Sequence, residues 1–257
     1  FIRKVSDEIS KIELEDTLKE KYTQVLEQAI RKGIFSWYYE IVISCKRMAK
    51  YSPEKALQLY FECVLKELKN KNSKIISSQG SLTKSFEKIL PSLYEKVPYE
   101  TLLTTTNFFE QILVNNYVGK KRLWDNPNEL LYSQHAQRFG LNAFYEWYKN
   151  KILEFCSSLT EPAKQIIEKL EQSKWESQRQ LSMLCKLRNI DFYKNDILDY
   201  IRNILKSSLE NSSMYRQSEL FIRAIERVFI AKIIEEEEKE EIINVISVSY
   251  THMTLPT

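Results

Sequence analysis

Three adjacent cations beside an indole are the most chemically suggestive grouping in this chain. Lys120, Lys121 and Arg122 stand just before Trp124, with Arg138 a little further on. Neighbouring cations can neutralise phosphates and an indole can stack on a base, so these five residues form a candidate binding site for an anion or a nucleic acid. The bland alternative is a solvent-exposed charged loop, with Trp124 packing on the helix that follows. His135 belongs to the same stretch, residues 117–148, which also holds two of the four Trp and two of the four Gly. Four positions after Leu131, it is expected to pack or cap rather than to bind a ligand.

Catalysis needs groups that move protons, attack, or hold a metal, and here they are scarce. The two histidines, His135 and His252, offer no cluster for zinc and no H-E-x-x-H. Cys45, Cys63, Cys156 and Cys185 include no C-x-x-C, which excludes zinc ribbons and C-x-x-C redox motifs. Each lies in an apolar helical pattern and is expected to be a reduced core thiol of a cytoplasmic protein. A Cys–His nucleophilic pair through His135 has no supporting context around any Cys. Gly33, Gly80, Gly119 and Gly140 are isolated, so neither a phosphate-binding loop nor a dinucleotide loop can be built. The carboxylates fall on solvated helix faces, where i,i+4 pairing is the default. The expectation is therefore a protein that is not an enzyme, with no catalytic residue, no cofactor and no metal.

The remaining conspicuous residues read as packing. Trp37, Tyr38, Tyr39, Trp147 and Tyr148 suit a core or an inter-helix contact better than a recognition groove. The run from Glu235 to Glu241 suits a solvated helix surface, with an acidic docking strip as its alternative.

The elements that must position these residues are announced by composition. Gly occurs 4 times in 257 residues, where an average usage of about 7% would give roughly 18. Sheets use glycine at their hairpins, so this scarcity points to helices joined by short connections. The hydrophobic content of 43% suffices for a sizeable core. A formal net charge of +3 is too small to indicate a nucleic-acid partner by itself, but it is unevenly spread. Residues 1–124 hold 21 Lys/Arg against 15 Asp/Glu, net +6, while 125–257 hold 17 against 20, net −3. No run of apolar residues reaches membrane-spanning length; Ile34 to Cys45 comes nearest, and Glu40 interrupts it. No membrane partner is expected, and no signal-peptide pattern opens the chain.

Along the chain, Ser6 is a plausible N-cap, and Leu18, Tyr22, Val25, Leu26, Ala29 and Ile30 trace an apolar face up to Gly33. Ile34 to Tyr51 is apolar nearly all round. Ser52-Pro53-Glu54 starts another helix, and Asn70 to Ser81 is the most polar, breaker-rich stretch. Helix is expected over about 82–96, with Pro91 either kinking it or starting a new turn. Pro98 opens the next helix, which Thr104, Thr105 and Thr106 weaken. Asn126-Pro127-Asn128-Glu129 resembles a capped start, and Gly140 separates that short helix from an amphipathic one carrying Phe144, Tyr148, Ile152 and Cys156. Thr160-Glu161-Pro162 restarts the chain, with helices over about 162–188, 195–209 and 216–246.

These signals predict an all-α fold: roughly ten helices of about 12 to 20 residues, packed as antiparallel pairs and stacked as an irregular α-solenoid. A compact multi-helix bundle is the alternative. The organisation expected is an N-terminal helical part over 1–70, a loop or boundary over 71–81, a helical-repeat region over 82–247 and a non-native tail over 248–257. The pattern resembles HEAT-like repeats, without a diagnostic motif; the tetratricopeptide consensus fails when anchored at Pro53. The last ten residues, VSYTHMTLPT, resemble at nine positions a translated reading frame of a sequencing adapter, VSYTHLTLPT, which implies a chain that continues past about Ser247. The function implied is a protein-interaction scaffold in the cytoplasm, a recognition or regulatory arm of a larger multidomain protein. Its concave face would bind a protein partner or another domain of the same chain. A nucleic-acid-binding helical module using the basic and aromatic loop is the alternative.

Overall fold

The computed structural model describes residues 15–32, 38–69, 79–115, 141–210 and 218–231, with the short pieces 236–237, 239–240 and 242–244. Among these residues there are ten α-helices, one 3-10 turn and no strand. The helices are α1 Asp16–Arg31, α2 Tyr38–Met48, α3 Pro53–Lys69, α4 Gln79–Tyr94, α5 Pro98–Asn115, α6 Leu141–Phe155, α7 Glu161–Glu171, α8 Glu176–Arg188, α9 Lys194–Glu210 and α10 Ser218–Ile230. The 3-10 turn, Cys156–Ser158, follows α6 directly. Ser6, Gly33, Trp37, the capped start at Asn126 and the tail over 248–257 lie outside the described residues.

Proline places several of these helices. Pro53 and Pro98 are the first residues of α3 and α5, where the absent N–H would have had no intrahelical partner. Pro162 sits in the first turn of α7 behind an extended Thr160. Pro91 behaves differently, because α4 runs through it to Tyr94 and neither ends nor restarts there. That helix also begins at Gln79, taking in Gly80 and Ser81. The stretch 162–188 holds two helices, divided at Gln172–Trp175 with neither Gly nor Pro to mark the break. The Ser173 hydroxyl marks it instead. It accepts the Trp175 N–H at 3.2 Å, a local side-chain bond that competes with helix continuation.

The chain divides into two compact units. The first holds α1 to α5 and α6 as far as Lys151; the second runs from Ile152 through α10. In the first unit α2 packs on α1, α3 and α4, and α5 packs on α3 and α4. The core is aromatic: Phe86 stacks on Phe144 with ring centroids 3.8 Å apart, and Phe61, Phe108 and Phe109 surround the pair. Trp147 lies edge-on to Tyr94 and Tyr148 is fully buried, which is the packing role expected of both. The stripe of α1 is only partly a core face. Tyr22, Leu26, Ala29 and Ile30 are buried, whereas Leu18 and Val25 are 48% and 56% exposed.

The threonines of α5 are accommodated by their hydroxyls. Thr101, Thr105 and Thr106 are buried, and each donates to the backbone carbonyl four residues earlier, Val97, Thr101 and Leu102 respectively. This bonding supplies each buried hydroxyl with an acceptor.

In the second unit α8 is the central element, packed by α7, α9, α10 and the 3-10 turn. Around its end Leu187, Ile197, Ile201, Leu220, Ala224 and Val228 form one apolar cluster. The turn between α6 and α7 closes on Leu159, whose φ of 47° and ψ of 28° place a branched residue in the left-handed region.

Candidate functional site

Lys120, Lys121, Arg122, Trp124, Arg138 and His135 all lie outside the described residues. Among the described residues the richest chemistry gathers on α8. Lys186, near the C-terminus of that helix, is only 3% exposed along its side chain. Its ammonium donates to Glu171 Oε1 at the end of α7 and to Asp196 Oδ2 in the first turn of α9, both at 2.6 Å. It also stands 5.5 Å from the centroid of the Tyr193 ring. A single cation thus joins three helices.

The electrostatics fix its state. Burial alone would disfavour the charge, but the hydrogen bonds to Asp196 and Glu171 outweigh burial and hold the ammonium above its ordinary value of 10.5. A lysine that acts as a base or forms a Schiff base needs the opposite shift. Burial raises the Tyr193 phenol, against a smaller downward pull from the Lys186 ammonium. Both groups keep their protons near neutrality, and the two carboxylate contacts of Lys186 tie α7, α8 and α9 together.

Beside the lysine lie two thiols and an amide. Cys156 opens the 3-10 turn and Cys185 precedes Lys186; both side chains are completely buried. The Asn189 side-chain nitrogen donates to the carbonyl of Cys156 at 3.0 Å and to that of Cys185 at 2.9 Å. Arg188 Nη1 donates to the Leu153 carbonyl at 3.1 Å, so two side chains from the end of α8 satisfy carbonyls at the end of α6 and its turn. Burial, then the hydrogen bond and charge of Cys156, push the Cys185 thiol well up, against a smaller downward pull from Arg188. A nucleophilic cysteine needs a lowered value. All four cysteines are free thiols; Cys63 is half-buried, and the other three are buried.

Two apolar surfaces complete the inventory. Leu18 and Val25 are seven residues apart on α1 and therefore share a side of it. On α10, Ile222 and Ile230 are 52% and 76% exposed, with Ile225 and Phe229 half-buried beside them. The acidic run beyond is exposed at Glu236, Glu237 and Glu240, and Lys239 pairs with Glu236. Among the described residues, no group of three or more His, Cys, Asp or Glu is placed to hold a metal ion, and no helix is long and apolar enough to cross a membrane.

Sequence reasoning missed Lys186, Asn189 and the pairing of Cys156 with Cys185. Spacing gave no signal for Lys186: its neighbours along the helix at three, four and seven residues back are Met183, Ser182 and Arg179, which do not form an apolar row. Asn189 and the thiol pair depend on contacts across 29 to 33 residues, which no local pattern encodes. Compared with protein-family models, curated proteins and solved structures, the chain matches none.

Proposed function

We propose that this chain is a non-enzymatic protein-interaction scaffold, acting in the cytoplasm as a recognition or regulatory arm of a larger multidomain protein. The observation that carries this reading is the pair of exposed apolar helix faces, Leu18 with Val25 on α1 and Ile222 with Ile230 on α10. Side chains of this size on one side of a helix are suited to burial against another helix or another protein. The helices stack in pairs as an irregular HEAT-like solenoid, and solution scattering tests this. A compact bundle of this length has a radius of gyration of roughly 18 Å, the solenoid is distinctly larger, and a value near the compact figure overturns it.

A photo-crosslinking residue at Val25 or at Ile230 tests the scaffold. It is expected to join the chain to one defined protein species or to another domain of its own polypeptide. A control at the exposed Glu168 should give no such product. Equal labelling at all three positions removes the support for these faces.

The second reading, a nucleic-acid-binding helical module, rests on the net charge of +6 over residues 1–124 and on the Lys120 to Trp124 grouping. Its test is one of salt dependence, argued at the scale of the whole molecule below.

A further inference from the structure

We propose that Cys156 and Cys185 form a reversible disulfide site, closed by a peroxide into a cross-link that ties the turn after α6 to α8. The proposal is independent of the scaffold reading and rests on placement. Asn189 Nδ2 donates at 3.0 Å to the Cys156 carbonyl and at 2.9 Å to the Cys185 carbonyl. Two bonds to one nitrogen hold those oxygens within about 6 Å of each other, so the two cysteine backbones are neighbours across α8 and the turn. The 3-10 turn carrying Cys156 packs directly on α8, the Cys156 thiol donates to the Ala163 carbonyl at 3.8 Å, and Cys156 is the side chain that acts most strongly on the Cys185 thiol. Neither thiol is committed to a metal, since no ligating group of three is present among the described residues.

The surroundings favour the oxidised product over the free anion. Burial penalises a thiolate, which is why the Cys185 thiol sits well above its ordinary range. A disulfide carries no charge and incurs no such penalty. The nearby Arg188 guanidinium, held on the Leu153 carbonyl, favours the transient thiolate. One thiolate attacks a peroxide oxygen, breaking the O–O bond to give a sulfenic acid and a hydroxide that takes up the released proton as water. The second thiol then attacks the sulfenic sulfur; the S–S bond forms, the S–O bond breaks, and a second water leaves. Two thiols lose two electrons and two protons, and one hydrogen peroxide becomes two waters. Because the thiolate is scarce, the reaction is slow and accelerates as pH rises.

The test uses the full chain, exposed to hydrogen peroxide under native conditions, capped with an alkylating agent and digested without reduction. The expected result is a peptide pair joined through Cys156 and Cys185, lost on treatment with dithiothreitol, together with a higher thermal midpoint that returns to the reduced value. Cys185→Ser should abolish the joined pair; because serine at a buried position can unfold the chain, the wild-type peptide map decides the question by itself. Three results overturn the proposal: Cys156 and Cys185 recovered separately, a link made instead to Cys45 or Cys63, or a Cys156–Cys185 link seen only after denaturant is added.

Discussion

At the scale of single residues, Lys186 makes the sharpest energetic claim. Its ammonium is buried, yet Glu171 and Asp196 are 54% and 47% exposed along their side chains. Removing the cation leaves two carboxylates that water can still reach, so the cost stays below that of a fully buried pair. Lys186→Met is expected to destabilise by about 1–3 kcal/mol in urea unfolding. The pH dependence follows from the direction of the shift. The folded state raises the lysine above 10.5, so its contribution is fully present below that value and is lost as pH climbs through the folded one. Tyr193, also raised, contributes a loss of the same sign. The decisive quantity is therefore the difference between wild type and Lys186→Met, which should stay constant up to about pH 10 and shrink as pH rises beyond it. A second residue-scale prediction concerns the first unit, where Thr106 Oγ1 and the Tyr148 hydroxyl lie 2.6 Å apart in the core. Thr106 gives its single proton to Leu102 O at 2.9 Å, so Tyr148 is the donor between the two. A double-mutant cycle of Thr106→Val and Tyr148→Phe should show a coupling of about 0.5–1.5 kcal/mol, and additive effects would refute the bond.

At the scale of elements, α8 explains what the sequence could and could not disclose. Helix starts were legible wherever proline stood at the first turn, as at Pro53, Pro98 and Pro162, because the fixed φ and absent donor act locally. The core side of α1 was legible from spacing at Tyr22, Leu26, Ala29 and Ile30, but spacing could not say that Leu18 and Val25 would stay uncovered. Burial of α8 was hidden, since ESQRQLSMLCKLR has polar residues on most sides while Ser177, Gln178, Gln180, Ser182 and Lys186 are all buried. A buried polar side chain needs a hydrogen-bond partner, and on α8 some partners are fixed only by tertiary packing: Ser182 Oγ donates to the Ile167 carbonyl at 3.0 Å. The basic and aromatic loop was singled out by residue type alone, and its residues fall outside the described structure. Asn189 gives the element-scale prediction. Asn189→Ala withdraws the donor shared by the Cys156 and Cys185 carbonyls and should cost about 1–3 kcal/mol. Hydrogen exchange should show faster opening of the 3-10 turn and of the last turn of α8, with the α2 and α3 amides unchanged.

At the scale of the molecule, charge distribution separates the two functional readings. The net charge of +6 over residues 1–124 is not free for a polyanion everywhere. Glu27 accepts from Lys55 at 2.6 Å and Arg31 at 3.0 Å, and Arg31 also reaches Glu62 at 3.0 Å, so part of the basic complement is balanced on the surface of the first unit. The nucleic-acid reading places its phosphate contacts on the Lys120-Lys121-Arg122 row. Three phosphate contacts would give a logarithmic salt slope of roughly −3 on duplex nucleic acid, and a single charge reversal would change it by about 1. As a scaffold, the chain is expected to bind mixed single- and double-stranded nucleic acid only weakly, to release it at moderate salt, and to respond little to Lys121→Glu or Arg122→Glu. Titrations at two salt concentrations check this. Affinity that survives the higher salt and collapses with either charge reversal would transfer the function from a protein-binding scaffold to a nucleic-acid-binding module.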